Sequence, residues 1–384
     1  MDMDNNETLC FVSNTSANGS TSFLHRAETV KIPKYVFTPA GITAKRVLCF
    51  ILSTVGAVGF LGNCLVFFFL RQKSARNPVK TNRFVKNLNL YLRSLCLSDL
   101  LSCAMSLPLL CIQISFDVFQ SGWTCKMVRY LNFVFPVVTI NNLVVISLEK
   151  YLSTRTIPRT FSSATVRKMI IFAWFLGISV MLFPAATYDG KRVDLNRTHF
   201  TVICKNNERF YPFRITLLIF PLQYVLPCIF VTYVNISLLK TLWGRGTRKI
   251  RNGVSDAFKG RLMATRIKGT ILLVALTFAF IVPCLFYVGN MAYTQMAKPQ
   301  RTFATDFIFR YGGGGIAAYF SSAINFIIYF VQMRDFRAYL KTVVCERRAS
   351  RYGTTDKTQT AKICEMQLNL QFVNQITCHN KKTK

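Results

Sequence analysis

The stretch CKMVRYLNFVFPVVTINNLVVISLEKY, running from Cys125 to Tyr151, decides the fold. Its run from Met127 to Leu148 is apolar, interrupted only by Arg129 near the start and by amide and hydroxyl side chains. At a rise of 1.5 Å per residue, the 25 residues between Cys125 and Lys150 make a helix roughly 37 Å long, enough to cross a hydrocarbon core with its ends in the headgroups. A cysteine just after Trp123 at one end and Glu149-Lys150-Tyr151 at the other make the span polarised.

Six further apolar runs of spanning length surround it. They are Val47 to Leu70, Leu88 to Ile114, Met169 to Thr187, Ile215 to Leu239, Gly269 to Tyr293 and Gly312 to Val331. The 384 residues are 51% hydrophobic and 14% aromatic, with 34 Phe, outside the range of ordinary soluble domains. A soluble chain would have to bury several such all-round apolar helices at once, which disfavours that reading. The expected class is an all-α membrane protein, a bundle of seven transmembrane helices.

Basic residues set the orientation. The connections 71–86, 150–168 and 240–268 and the C-terminal tail hold 31 Lys and Arg, against 16 in the other tail and loops. The excess places the C-tail in the cytoplasm and the N-tail outside. Acidic residues deepen the contrast, to a net charge of about +26 inside and +7 outside. Most of the +32 is thus a membrane-surface charge that points to anionic lipid, and no nucleic-acid partner is expected.

Residues 1–46 are expected to be a polar extracellular tail without a signal-peptide core, so the first span acts as its own insertion signal. Sequons at Asn6, Asn14 and Asn18 agree with an outer, glycosylated tail, as does Asn196 between spans four and five. The sequon at Asn235 lies inside span five and is discounted. His25, His199 and His379 all fall outside the spans, so no intramembrane imidazole metal site is expected. In span one, Asn63 must face the bundle, because a lone amide in hydrocarbon is costly. Asp99 is the one acid in the middle of a span; it reads either as a protonated structural carboxyl or as a cation or proton site.

Gly62-Asn63-x-x-Val66, Ser98-Asp99, Trp123 ahead of Cys125, Glu149-Lys150-Tyr151, a lone Trp174 in span four and Asn325-Phe-Ile-Ile-Tyr329 in span seven together resemble the rhodopsin-like G-protein-coupled receptors. The resemblance covers roughly residues 45 to 345, and it rests on the order and placement of the motifs more than on any one of them.

That resemblance implies a disulfide from Cys125 to Cys204, the one cysteine in the loop between spans four and five. Cys10 is then left outside without an evident partner. The loop, with Asp189-Gly190 followed by β-prone Phe200 to Cys204, reads as a hairpin of the kind common among peptide-binding members. Asn132 stands where amine receptors carry an aspartate, and Tyr319 where retinal-binding members carry a lysine, so neither ligand class is expected. The ligand pocket is expected at Asn132, Phe133, Phe280, Cys284, Tyr287 and Tyr319. By resemblance, Asp99 with Asn63, Thr139, Ser321 and Asn325 would form a polar cluster able to hold an allosteric sodium ion.

The coupling face departs from the family pattern. Lys150 replaces the arginine at the centre of the triplet and lacks its planar fork of donors. Pro283 occupies the kink position of span six, but Ile281 stands where tryptophan is usual; Phe326 replaces the proline of the span-seven motif; and Tyr233 follows Pro227 at a shifted spacing. Glu149, Lys150, Tyr151, Tyr233, Pro283, Asn325 and Tyr329 are the expected coupling and switch residues.

Arg71, Lys73, Arg76, Lys80, Arg83 and Lys86 make the first inner loop a basic arm, read as anionic-lipid contact in preference to a protein site. The Gly312–Gly315 run marks either a flexible outer end of span seven or a tolerated linker. From Arg334 to Cys345, Phe336, Tyr339, Leu340, Val343 and Val344 form one apolar stripe, an amphipathic helix on the inner leaflet. Cys345 at its end is read as a palmitoylation site, with a free buried thiol as the alternative. The domains expected are an outer tail 1–46, the bundle 47–332, the amphipathic helix 333–345 and a disordered tail 346–384 open to kinases.

The function expected is a plasma-membrane receptor that transduces an extracellular ligand to a cytoplasmic G protein, with arrestin as a further partner. Six basic against three acidic residues in the loop before span five favour an acidic or amidated peptide. A non-signalling decoy is the alternative, supported by the altered switch positions. A transporter would show paired discontinuous helices, and an enzyme would show a nucleophile with a histidine partner or a carboxylate pair in the spans; the sequence shows neither.

Overall fold

Pairing between a two-residue strand and a distant hairpin opens the architecture, and helices carry the rest. The structure, a computed structural model, describes residues 33–37, 40–76, 83–119, 121–154, 161–207, 221–251, 257–297 and 302–351. Strand β1 (Lys34–Tyr35) precedes helix α1 (Ile42–Arg76). Span two is α2 (Arg83–Leu101), a π turn at Ser102–Ser106 and α3 (Leu107–Ser115). Span three is α4 (Gly122–Thr154), and span four is α5 (Ser163–Val180) with the short α6 (Leu182–Ala186). After strands β2 (Tyr188–Asn196) and β3 (His199–Asn206), a π turn at Pro221–Val225 leads into α7 (Leu226–Arg251), and α8 (Ala257–Ala297) forms span six. Span seven is α9 (Phe303–Phe307), a π turn at Ile308–Gly315 and α10 (Ile316–Gln332), and α11 (Arg334–Arg351) closes the described chain.

Seven stretches among the described residues are long and apolar enough to cross a membrane. Their burial is inverted relative to a soluble bundle. Phe50, Phe172, Phe175, Ile229 and Phe278 point outward and exposed, whereas Asn63, Asp99, Asn142 and Asn325 are buried. Apolar side chains suit lipid, and polar groups that cannot meet water must find one another inside the bundle. Helix α4 is the most deeply buried of the seven and touches α2, α5, α7 and α8. The sequence motif that decides the fold is therefore the bundle's axis.

The irregularities of spans two, three and seven have local causes. Pro108 has no N–H to offer the carbonyl of Ala104, and the turn before it widens, with the Leu107 N–H reaching back to the Ser102 carbonyl. Pro136 lies inside α4 and leaves the Asn132 carbonyl without its helical donor. The Gly312–Gly315 run, poor in helix propensity, lies within the widened turn of span seven. A Cβ at Gly315 would come 2.8 Å from the Leu110 side chain, so glycine there lets spans two and seven approach closely.

At one end of the bundle, β2 and β3 form an antiparallel hairpin, and β1 adds to β3 in parallel, with Lys34 opposite His199. The hairpin turn falls at Arg197-Thr198, beside the Asn196 sequon, and not at Asp189-Gly190 as that dipeptide suggests. Gly190 instead pairs with Cys204 in the ladder, where a Cβ would meet the Phe119 carbonyl at 2.7 Å. Contact with the loop before span three decides the position of that glycine. Tyr35 ties β1 down by donating its hydroxyl to the Asp117 carboxylate, and burial together with that charge holds its phenol above the ordinary tyrosine value.

At the opposite end, α11 begins at Arg334 and runs six residues past the expected end at Cys345. Phe336 is fully buried, packed between Phe69 at 5.3 Å and Phe326 at 6.2 Å between ring centroids. Arg337 donates to the carbonyls of Phe330 and Val331 and so caps the exposed end of span seven. Lys73 pairs with Asp335, so part of the basic arm contacts α11. Span one likewise begins five residues before Val47, at Ile42. Asn6, Asn14, Asn18, Lys80, residues 215–220 and the tail beyond Arg351 lie outside the described residues, as do the side chains of Asn196 and Cys345.

Candidate functional site

Beneath the hairpin, helices α4, α8 and α10 enclose a cavity of about 90 Å³ that Asn132, Phe133, Phe280, Cys284, Tyr287 and Tyr319 all help to line. The hairpin is fixed over it by the Cys125–Cys204 disulfide, with Cα atoms 5.6 Å apart. Tyr319 donates a 2.8 Å hydrogen bond to the Asn132 carbonyl, the one that Pro136 leaves vacant. The Asn132 side chain, only 6% exposed, lines the cavity with neither its amide nitrogen nor its oxygen hydrogen-bonded. Above lies a wider cavity of about 460 Å³, walled by the hairpin and by Thr302–Tyr311, and Arg129, Arg310 and Tyr311 border both spaces. Arg310 is paired with Asp306 at 2.9 Å, whereas Arg129 stacks 5.4 Å from the Tyr188 ring centroid.

Midway along the bundle, Asp99 accepts from Ser322 at 3.0 Å and from the Asn325 amide at 2.7 Å. Asn63 donates 2.8 Å bonds to the carbonyls of Gly59 and Ser322, binding span one to span seven. Ser98 bonds Thr139 at 2.9 Å, while Ser94 receives the Trp174 indole N–H and donates to Asn142. Ser321 is not part of this cluster. A helix turns about 100° per residue, so it is Ser322 that faces Asp99, and Ser321 borders the cavity above. The side-chain oxygens of Asn63 and Asn325 are buried acceptors without partners. Amide and carboxylate oxygens are donor types that a hard cation takes.

At the α11 end, Glu149 and Lys150 form an ion pair of 2.8 Å, both nearly fully buried. Neighbours in a helix do not normally face one another, so this pairing needs outside support. Asn87 supplies it, donating to Glu149 at 2.9 Å and to the Phe161 carbonyl at 3.0 Å. The Phe84 ring, 4.0 Å from the Lys150 ammonium, covers the charge from the other side. Tyr329 is fully buried against Cys96, and Tyr151 is half-buried. Tyr233, in contrast, is 63% exposed on the outer face of α7 and joins none of these clusters. Pro283 lies inside α8, one residue before the cavity-lining Cys284.

Three participants are not evident from sequence alone. Asn87 is an ordinary amide in the first turns of span two, and Ser322 is one position away from the serine that the family pattern indicates. Arg129 reads as an interruption in an apolar run, though its spacing of three from Asn132 puts the two on one helix face.

The sequence profile of the 7 transmembrane receptor (rhodopsin family) matches residues 62–329. Galanin receptor 2a of Danio rerio is 23% identical over 340 residues, covering 86% of this chain and 88% of that receptor. Neuropeptide Y receptor type 4 of Mus musculus is 30% identical over 39% of this chain and 37% of its own length. Melanopsin-B of Gadus morhua is 29% identical over 37% of this chain, but only 22% of its own length is matched. With seven spans around a buried central helix, a disulfide-held hairpin at one mouth and the Glu149-Lys150-Tyr151 triplet at the other, the chain belongs to the rhodopsin family of seven-transmembrane receptors, and it is not an enzyme.

Proposed function

We propose that the chain is a plasma-membrane receptor that passes the binding of an extracellular peptide to a heterotrimeric G protein. The observation that carries this is the separation of two specialised ends on one axis. The cavity under the hairpin and the buried Glu149–Lys150 pair both sit on α4, near opposite ends of the helix. The hairpin end faces outside and the α11 end faces the cytoplasm, by the excess of basic residues there. A ligand favouring one arrangement of the bundle shifts the population at the other end. Relatives named for galanin and neuropeptide Y support a peptide ligand. Tyr319 in place of a retinal-binding lysine argues against light reception despite the partial match to a melanopsin.

In this reading Glu149, Lys150, Tyr151, Pro283, Asn325 and Tyr329 form the switch, and sodium at Asp99 favours its closed form. Residues 1–46 are the glycosylated outer tail and 47–332 the receptor domain. Arrestin contacts, palmitoylation at Cys345 and anionic lipids against the basic arm belong to the cytoplasmic face. The test is G-protein nucleotide exchange in membranes carrying the natural chain or Lys150→Arg at matched surface expression, against mock membranes. Exchange above mock by the natural chain supports signalling.

One observation favours a second reading. Lys150 is 2% exposed and held between Glu149, itself fixed by Asn87, and the Phe84 ring, and it lacks the fork with which arginine reaches several acceptors. Activity in the arginine variant alone would make the natural chain a ligand-binding decoy.

A further inference from the structure

Arg129 is distinguished among the cavity's charged residues by what it lacks. Arg310 has Asp306, and Asp194 at the rim has Arg192 at 3.1 Å. Among the described residues no carboxylate pairs with Arg129, and its Nε is buried without a hydrogen bond. One helical turn deeper, the buried Asn132 amide also has both of its polar atoms unsatisfied. Buried donors and acceptors are normally paired, and an idle one costs free energy. Two of them on one face of α4, both bordering the same cavity, describe the missing partner: an anion beside a group that both donates and accepts.

The volumes narrow the shape. The inner cavity of about 90 Å³ is well under the roughly 300–1,000 Å³ of pockets that enclose whole ligands. Only the end of a ligand enters, while the 460 Å³ outer space holds the remainder. Arg129 stands where the two meet. Building on the peptide-receptor reading above, we propose that the peptide is held by a free C-terminal carboxylate. The Arg129 guanidinium, a planar fork matched to a carboxylate, binds the terminus, and Asn132 pairs with the donor and acceptor of the last peptide unit. An amidated C-terminus offers no negative charge to Arg129 and is disfavoured, which narrows the sequence-based expectation of an acidic or amidated peptide.

Purified full-length chain in lipid nanodiscs would be titrated with N-acetylated tetrapeptide pools bearing a randomised last residue. One pool has free C-terminal acids and the other the corresponding amides; octanoate is a third arm that offers a carboxylate without peptide units. The readout is the concentration giving half the maximal thermal shift, with no G protein present, so failure of coupling cannot mimic failure of binding. The acid pool should stabilise the chain, with the amide pool about tenfold or more weaker. Arg129→Gln should erase the distinction between acid and amide, and Arg129→Lys should retain part of it. Lys126→Gln, which removes the same charge from the same helix beside Trp123 but off the cavity lining, should leave it intact. Variants are compared only where their unliganded midpoints match the natural chain. Equal binding of acids and amides, no response to either, or a response to octanoate alone would each overturn the proposal. So would an acid preference that survives in Arg129→Gln.

Discussion

The Tyr319 hydroxyl donates a 2.8 Å hydrogen bond to the backbone carbonyl of Asn132, and Pro136 is the reason that carbonyl is available. In an uninterrupted helix the N–H four residues on would occupy it. A proline in span three and a tyrosine in span seven are thus one device, which pins the two helices together at the floor of the cavity. Tyr319→Phe should lower stability by about 1–3 kcal/mol, the cost of an unpaired buried acceptor. In a Pro136→Ala background the N–H returns, and the same change should cost much less. A double-mutant cycle on thermal unfolding measures the coupling, which should exceed about 0.5 kcal/mol. Simple additivity would sever the link between the two residues.

The ion pair at the other end of α4 makes a different prediction. Because Lys150 is buried, Glu149→Gln takes the counter-charge from an ammonium packed under the Phe84 ring. Removing one partner of a buried pair typically costs about 3–5 kcal/mol, whereas replacing both with apolar groups is far milder. Glu149→Gln should therefore lower the unfolding midpoint more than the double variant Glu149→Gln/Lys150→Met. If the single change is silent, the charge must already be satisfied elsewhere.

Gly62 and Phe326 occupy one space. A Cβ on Gly62 would fall 2.4–2.8 Å from the Phe326 ring and its Cβ, too close for a side-chain rotation alone to relieve. Overpacking of this kind costs about 1–3 kcal/mol. Gly62→Ala should destabilise by that order, and Phe326→Ala added to it should recover a good part of the loss. Measured singly, Phe326→Ala should be destabilising too, since the ring also packs on Phe336.

Legibility in the sequence tracks how local the governing physics is. Span length and polarity reside in consecutive residues, so the seven helices can be read directly. Motif spacing locates Asp99, Asn325 and Lys150 because each is fixed by its own helix. Errors arise where a second element decides. The expected hairpin forms, but the sequence does not locate its turn at Arg197-Thr198, and Gly190 sits in the ladder against Phe119. Ser321 and its neighbour differ by one helical step, which resemblance alone does not resolve but contact with Asp99 does. Tyr233 faces outward because two residues of shifted spacing carry a side chain round the helix. Arg129 is an interruption in the one-dimensional pattern, and only its missing partner in three dimensions marks it out.

That one-residue distinction in span seven yields the sharpest test of the central cluster. If Asp99 with the unpartnered oxygens of Asn63 and Asn325 holds sodium, the unfolding midpoint should rise more in sodium chloride than in choline chloride at equal ionic strength. Asp99→Asn should abolish that difference, because it removes the only acid of the cluster while preserving its size. Ser322→Ala frees one carboxylate oxygen from its hydrogen bond and should change the sodium dependence, with a stability cost of about 1–3 kcal/mol. Ser321→Ala should leave the sodium dependence unaltered, since that side chain lies at the cavity and not on Asp99. The reverse outcome, with Ser321 controlling the sodium response and Ser322 inert, would mean that span seven is rotated by one residue from the arrangement described. Tyr319 would then turn away from Asn132 as well, so the coupling between Tyr319 and Pro136 should vanish in the same protein.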